Sequence, residues 1–240
     1  MKPGRSLPAL LAAAIALATS AAVIAGSIHV MPTTITLGPG KATAVLMVTN
    51  EGDEPVNAQV RVLEWNQNGG QDALAQTQKV VASPPMTTLA PKQTQSIRVV
   101  RVDKSPVNAE EAYRLLVDEV PDPAKAPKNG VAVQMRYSVP VFVLPKATMP
   151  PGNVTVTAQA TGNALSLKAH NPGEAHVQLA NVSVEHQGGS TTPVQPGLLG
   201  YVLPGGTMQW KLDVPANAAA NGRPVRVHAD INGQPLNVDL

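Results

Sequence analysis

Cysteine is absent from the 240 residues. Disulfide staples, thiol chemistry and cysteine-held zinc are thereby excluded, and stability has to come from a hydrophobic core. Aromatic residues are nearly as scarce: two Trp, three Tyr and one Phe. The core must then be aliphatic, and the common Val and Thr point to β-structure. Charged residues make up only 14%, with net charge +2 and no long run of one sign, which argues against a nucleic-acid partner. Helical periodicity is scarce too.

Catalytic groupings are missing as well. The five histidines are His29, His170, His176, His186 and His228, and none forms His-x-x-x-His or His-Glu-x-x-His. His170 and His176 flank a turn and could meet across a hairpin, where a surface pair is the plainer reading than a metal site. There is no Gly-x-Ser-x-Gly elbow and no phosphate-binding loop. Asp118 and Glu119 are neighbours on a presumed strand, so they face opposite ways and cannot act as a carboxylate pair. No metal or other cofactor is expected, and an enzymatic reading has no positive support.

At the N-terminus, Lys2 and Arg5 precede an uncharged, Ala- and Leu-rich segment from Leu7 to Ile24. Val23-Ile24-Ala25 then offers a cleavage pattern, so 1–25 reads as a secretory signal peptide, with a single membrane anchor as the alternative. Without it, about 215 residues remain, enough for two domains. No later segment is apolar enough to cross a bilayer, so an exported protein without stable membrane insertion is expected. Period-two alternation recurs over Ala42 to Val48, Val56 to Val62, Ser96 to Val102 and Tyr113 to Val117. Turn signals separate the runs at Gly38-Pro39-Gly40, Asn50-Glu51-Gly52-Asp53, Asn68-Gly69-Gly70, Pro84-Pro85 and Asn129-Gly130. Many short strands so spaced predict antiparallel sandwiches. Leu144-Pro145 and Met149-Pro150-Pro151-Gly152 frame a stiff linker, placing domains at 26–146 and 147–240. Alternation restarts beyond it, at Val154 to Thr157, Leu165 to Lys168 and Val177 to Val184. Asn171-Pro172-Gly173-Glu174 sits between strands much as Asn50-Glu51-Gly52-Asp53 does, so two similar domains are expected. Trp65 and Trp210 read as packing residues rather than a ligand platform.

The longest run is Val131 to Val143. Val131, Val133, Met135 and Tyr137 share one face; Gln134, Arg136 and Ser138 share the other. Alternation leaves two readings open: a strand burying its odd-numbered side chains in its own domain, or an edge strand whose apolar row is offered to a partner.

Several ordered segments resemble the periplasmic pilus chaperones of the chaperone-usher pathway. Met31-Pro32-Thr33-Thr34-Ile35 is similar to that family's opening strand, and Val81-Ala82-Ser83-Pro84-Pro85, Thr88-Leu89-Ala90-Pro91 and Ser96-Ile97-Arg98-Val99 resemble its first domain. Glu110 to Pro121 resembles the next strand, and Ala132 to Pro145 the long donor strand that leads into the hinge. The resemblance implies an all-β protein of two Ig-like domains in a boomerang arrangement. It also implies periplasmic localisation and a non-covalent role with pilus subunits and an outer-membrane usher as partners. The donor strand would complete a subunit that lacks one strand, with Val131, Val133 and Met135, and Tyr137 as a fourth, filling its pockets. Members of the best-known branch hold the subunit's terminal carboxylate with an Arg and a Lys. The aligned positions here are Thr34 and Pro140, so the chain is more similar to the archaic or alternative branch. Arg114 and Arg136 are then the expected carboxylate anchor, with two solvated strand-face arginines as the plainer reading; Arg98 is a weaker candidate. The alternatives in other classes are an Ig-like surface or pilus structural protein and an exported ligand-binding module or hydrolase.

Overall fold

The computed structural model describes residues 28–121, 134–150, 153–215 and 222–240. The expected signal segment 1–25, the turn Asn129-Gly130, Pro151-Gly152 and the expected pocket residues Val131 and Val133 lie outside the described residues.

Among the described residues every regular element is a strand. The first half holds β1 (Ile28–Met31), β2 (Ile35–Leu37), β3 (Thr43–Asn50), β4 (Val56–Asn68), β5 (Gln71–Gln76), β6 (Val80–Ser83), β7 (Met86–Leu89), β8 (Thr94–Arg101), β9 (Glu111–Val120) and β10 (Arg136–Val143). The second half holds β11 (Thr155–Thr161), β12 (Ala164–His170), β13 (Val177–His186), β14 (Thr191–Val202), β15 (Thr207–Asp213), β16 (Pro224–Ile231) and β17 (Gln234–Asp239).

Strands β1 to β10 form two sheets, β1-β3-β8-β6 and β2-β10-β9-β4-β5, with β7 also paired to β4. Alternate residues of both sheets meet in one aliphatic core that includes Leu46, Val48, Ile97 and Val99 from the first and Val60, Leu115, Val117, Val139 and Val141 from the second. Each such side chain stabilises the fold by about 1.5–3 kcal/mol through removal from water. The second half repeats the plan with β11-β12-β15 against β14-β13-β16-β17. Leu165 and Leu167 there face Val182, Val184 and Val227. Both halves are Ig-like sandwiches, as the period-two pattern predicts.

The opening segment changes sheets. β1 pairs antiparallel with β3, whereas β2, three residues on, pairs parallel with β10 from Val141↔Ile35 to Val143↔Leu37. The switch closes one side of the first sandwich and leaves β2 covering only the last three residues of β10.

The two Asn-containing turns have the same hydrogen-bond design. Asn50 is fully buried, its amide donates to the carbonyls of Glu54, Leu89 and Ala90, and its side-chain oxygen accepts from the Gly52 N–H. Asn171, equally buried, donates to Ala175 and Val202 and accepts from the Gly173 N–H. In each sandwich one buried amide ties a turn to the end of a distant strand, which explains why an Asn opens both motifs. Removing it leaves several buried backbone groups unpaired. Asn50→Ala and Asn171→Ala are each expected to cost about 2–3 kcal/mol in urea unfolding, against about 0.5–1 kcal/mol for Asn57→Ala at a half-buried strand position.

Candidate functional site

The site is built on β10, because its two sides are used differently. Antiparallel residues turn their N–H and C=O alternately toward and away from the neighbouring strand. Glu119 N–H donates to the Met135 carbonyl at 3.0 Å, so odd-numbered residues of β10 face β9. Even-numbered residues face outward, and the Leu144 N–H accordingly bonds outward to the Leu37 carbonyl of β2 at 2.9 Å. Since β2 reaches only Val141, the backbone groups of Arg136 and Ser138 stand on an edge that no other strand covers among the described residues.

Side chains divide the same way. Val139, Val141 and Val143 enter the aliphatic core. Tyr137 packs against that core, and its hydroxyl donates to the Ile28 carbonyl of β1. Met135 just before it is half-buried. The even side chains share the outer face of the sheet with Arg61, Leu63 and Trp65 of β4 and with Ala112, Arg114, Leu116 and Asp118 of β9.

Both expected anchor arginines lie on that outer face, four register positions apart: Arg136 pairs across from Asp118, and Arg114 from Pro140. At about 3.3 Å per residue this puts their backbones about 13 Å apart along the strands. Arg136 has a side chain 62% exposed and bonds the carboxylate of Asp118, which also accepts from Arg61 at 2.6 Å. Partial burial pushes the Asp118 carboxyl up, but the hydrogen bonds and charges of Arg136 and Arg61 outweigh it and hold it below its ordinary range. Arg114 is only 15% exposed, with its guanidinium 3.6 Å from the Trp65 ring centre and 5.6 Å from that of Tyr201, and with Asp72 at 3.9 Å. Burial draws it below its ordinary value, although Asp72 opposes the shift. A guanidinium held over an indole ring keeps its charge and its planar fork of donors.

The second sandwich walls this end of the face. Trp65, Ala112 and Phe142 pack with Tyr201 and Leu203 in one cluster. Gln67 donates to the Tyr201 carbonyl at 2.8 Å and accepts from the Leu203 N–H at 2.9 Å. Glu110, almost wholly buried, accepts from both the backbone N–H and Nδ1 of His176, whose ring stacks on Phe142 at 3.6 Å. His170 instead bonds at Gly206 and Thr207. In the sequence Glu110 stood only as the first residue of the segment Glu110 to Pro121, and Gln67 and Tyr201 carried no signal, because their partners lie in the other half of the chain. Among the described residues, no three His, Asp or Glu side chains gather as a metal site would need.

Solved structures share this architecture. A chain of the CsuC–CsuE chaperone–tip adhesion subunit pre-assembly complex, from the archaic chaperone-usher Csu pili of Acinetobacter baumannii, superimposes with a TM-score of 0.65 at 19% identity. That match covers 89% of this chain and 98% of that one. A chain of the Salmonella enterica SafA pilin–SafB chaperone complex gives 0.60 at 20% identity, over 90% and 97%. The YadV chaperone gives 0.59 at 18%, over 89% and 100%. Likeness at these identities establishes the class of fold, a pair of Ig-like sandwiches. In sequence, the uncharacterized fimbrial chaperone YcbF of Escherichia coli (strain K12) is 27% identical over 159 residues, which are 63% of this chain. The chain spans 65% of that relative's length. The model of the pili and flagellar-assembly chaperone, PapD N-terminal domain, matches residues 27–149. With half of its length matched, the chain belongs to the pili and flagellar-assembly chaperone family.

The ion pairs on the outer face set an acid response. Because the Asp118 carboxyl is depressed in the fold, its contribution to stability is complete above about pH 4 and is lost as pH falls through the lowered value. The melting temperature of Asp118→Asn should therefore lie below that of the parent at neutral pH, and the gap should close as both are measured toward about pH 2.

Proposed function

We propose that this chain is a periplasmic, non-enzymatic chaperone that holds pilus subunits by adding β10 and the segment before it to their incomplete sheets, then passes them to an outer-membrane usher. The observation that carries this reading is the uncovered edge at Arg136 and Ser138. Edge strands are usually blunted. β14 carries Pro193 and Pro196 amid register shifts, and β17 carries Pro235. The free half of β10 has Ser138 beside its open backbone, a site suited to strand addition.

In this proposal residues 26–146 and 147–240 are the two domains, and 1–25 directs export. Val131, Val133 and Met135 provide the apolar row, and Tyr137 ends it where the strand returns to its own core. Arg114 is the anchor for a subunit carboxylate, supported by its position on Trp65 at the wall between the sandwiches. Arg136, tied to Asp118, serves as a second cation further along the same face. The Csu and Saf structures are complexes of a chaperone with a subunit, which supports the same role here.

The test is co-expression in the periplasm with a pilin subunit encoded beside the chaperone. A soluble complex is expected to co-purify, and the double variant Val133→Ser/Met135→Ser is expected to lower its yield at least tenfold, as loss of two buried apolar contacts implies. Arg114→Gln should lower it too, and each variant should lose more in complex yield than the modest fall in the free chain's melting temperature accounts for. A subunit that stays soluble and assembles without this chain would sink the proposal.

A further inference from the structure

We infer that Pro140 is a register stop: it limits how far an incoming strand can advance along β10, and so determines which side chains of the two partners meet. The inference rests on the strand-addition reading above. Pro140 is even-numbered, so its backbone turns outward, away from β9 and toward the lane occupied by β2. A proline there has no N–H to donate. Its tolerance within β10 follows from the same fact, since the missing donor breaks no bond to β9. The lane beside β10 is therefore divided. From Val141 onward β2 fills it, at Pro140 the donor is missing, and from Ser138 back it is open.

A strand entering the open stretch lies in line with β2 and moves toward it. Two kinds of slip threaten its register. A slip of one residue turns the apolar side chains to the wrong face and is excluded by burial alone. A slip of two keeps every side chain on its proper face, so an alternating apolar pattern does not forbid it. Burial alone therefore leaves that slip open. Pro140 withholds the next outward N–H that a strand slipped by two would need, and Ile35 of β2 already occupies the place beyond it. Pro140 is itself buried, with the guanidinium-bearing Arg114 directly across on β9, so the stop sits on a part of the sheet held by packing.

A proline on an exposed edge also discourages pairing between copies of the chain. The two roles differ in what they move: protection alone alters self-association, whereas a register stop alters the alignment within the complex.

The absence of native cysteine makes that alignment measurable. Ser138→Cys supplies a unique thiol on the open stretch, and a co-expressed pilin subunit carries one cysteine at successive positions of the strand that docks there. With Pro140 in place, disulfide formation should concentrate at one pilin position. Pro140→Ala restores the outward N–H, and the cross-link should spread to the position two residues away, corresponding to further advance toward β2. Pro140→Val, a better strand former, is the second variant should the alanine form fold poorly. An unchanged single position in the folded variants overturns the register stop while leaving strand addition intact. No cross-link at any pilin position in the Pro140 background overturns strand addition along β10, and the register stop with it.

Discussion

A β-strand has two rows of backbone hydrogen-bonding groups, and both must be satisfied by something. In β10 the odd row is satisfied by β9 along its whole length. The even row is satisfied by β2 over three residues, lacks a donor at Pro140 and, among the described residues, is open at Ser138 and Arg136. The sheet switch between Met31 and Ile35 creates this division. Had the opening segment stayed wholly with β3, the entire edge of β10 would be bare. Had it paired wholly with β10, no edge would remain. The short β2 anchors the end of the strand in the core and leaves the beginning free.

The outer face gains its shape from the second sandwich. Phe142, on the same strand as the open edge, lies between Trp65, Tyr201 and the stacked ring of His176. The Gln67 side chain reads backbone groups of Tyr201 and Leu203, which fixes relative position more tightly than apolar contact does. Gly206 is part of that fit, because a Cβ there would stand 2.6 Å from Oε1 of Gln67 and 2.9 Å from the Leu203 carbonyl. Arg114 rests on the Trp65 side of the same cluster, so the position of its charge depends on packing between the sandwiches as well as on β9.

Local chemistry made much of the fold legible. Alternation located β3, β8, β9, β12 and β13 to within a few residues, and Gly69 and Gly70, both at positive φ, close the hairpin from β4 to β5 as their motif predicts. The paired Asn turns were visible because part of each bond set is local, to Gly52 and Glu54 or to Gly173 and Ala175. No alternating run marks β14, which carries two prolines and shifted register and takes its strand form from pairing with β13. The site was less legible for a related reason. Sequence reading separated the two faces of the strand ending in Val143, and it brought Arg114 and Arg136 into consideration by strand assignment. It could not show their separation along the sheet, which depends on the offset between β9 and β10. Nor could it find Gln67, His176 and Tyr201, whose roles come from contacts between halves of the chain.

The pairing of Arg136 bears on how readily an open edge can accept a strand. Ordering a backbone on binding costs about 1–2 kcal/mol per residue, so an edge that frays in the free protein would spend much of its gain in becoming straight. Arg136 stands at the first residue of β10, where fraying would begin. Its side chain crosses to Asp118 of β9, and Asp118 is held in turn by Arg61 of β4, making a three-strand tie over the outer face. An exposed ion pair of this kind contributes modestly to global stability. Its larger effect is local: it holds Arg136 in strand geometry while leaving its N–H and C=O turned outward. The tie at Arg136, the Tyr137 hydroxyl on Ile28 and the β2 ladder at Val141 thus fasten β10 at successive points without covering the edge between Arg136 and Pro140.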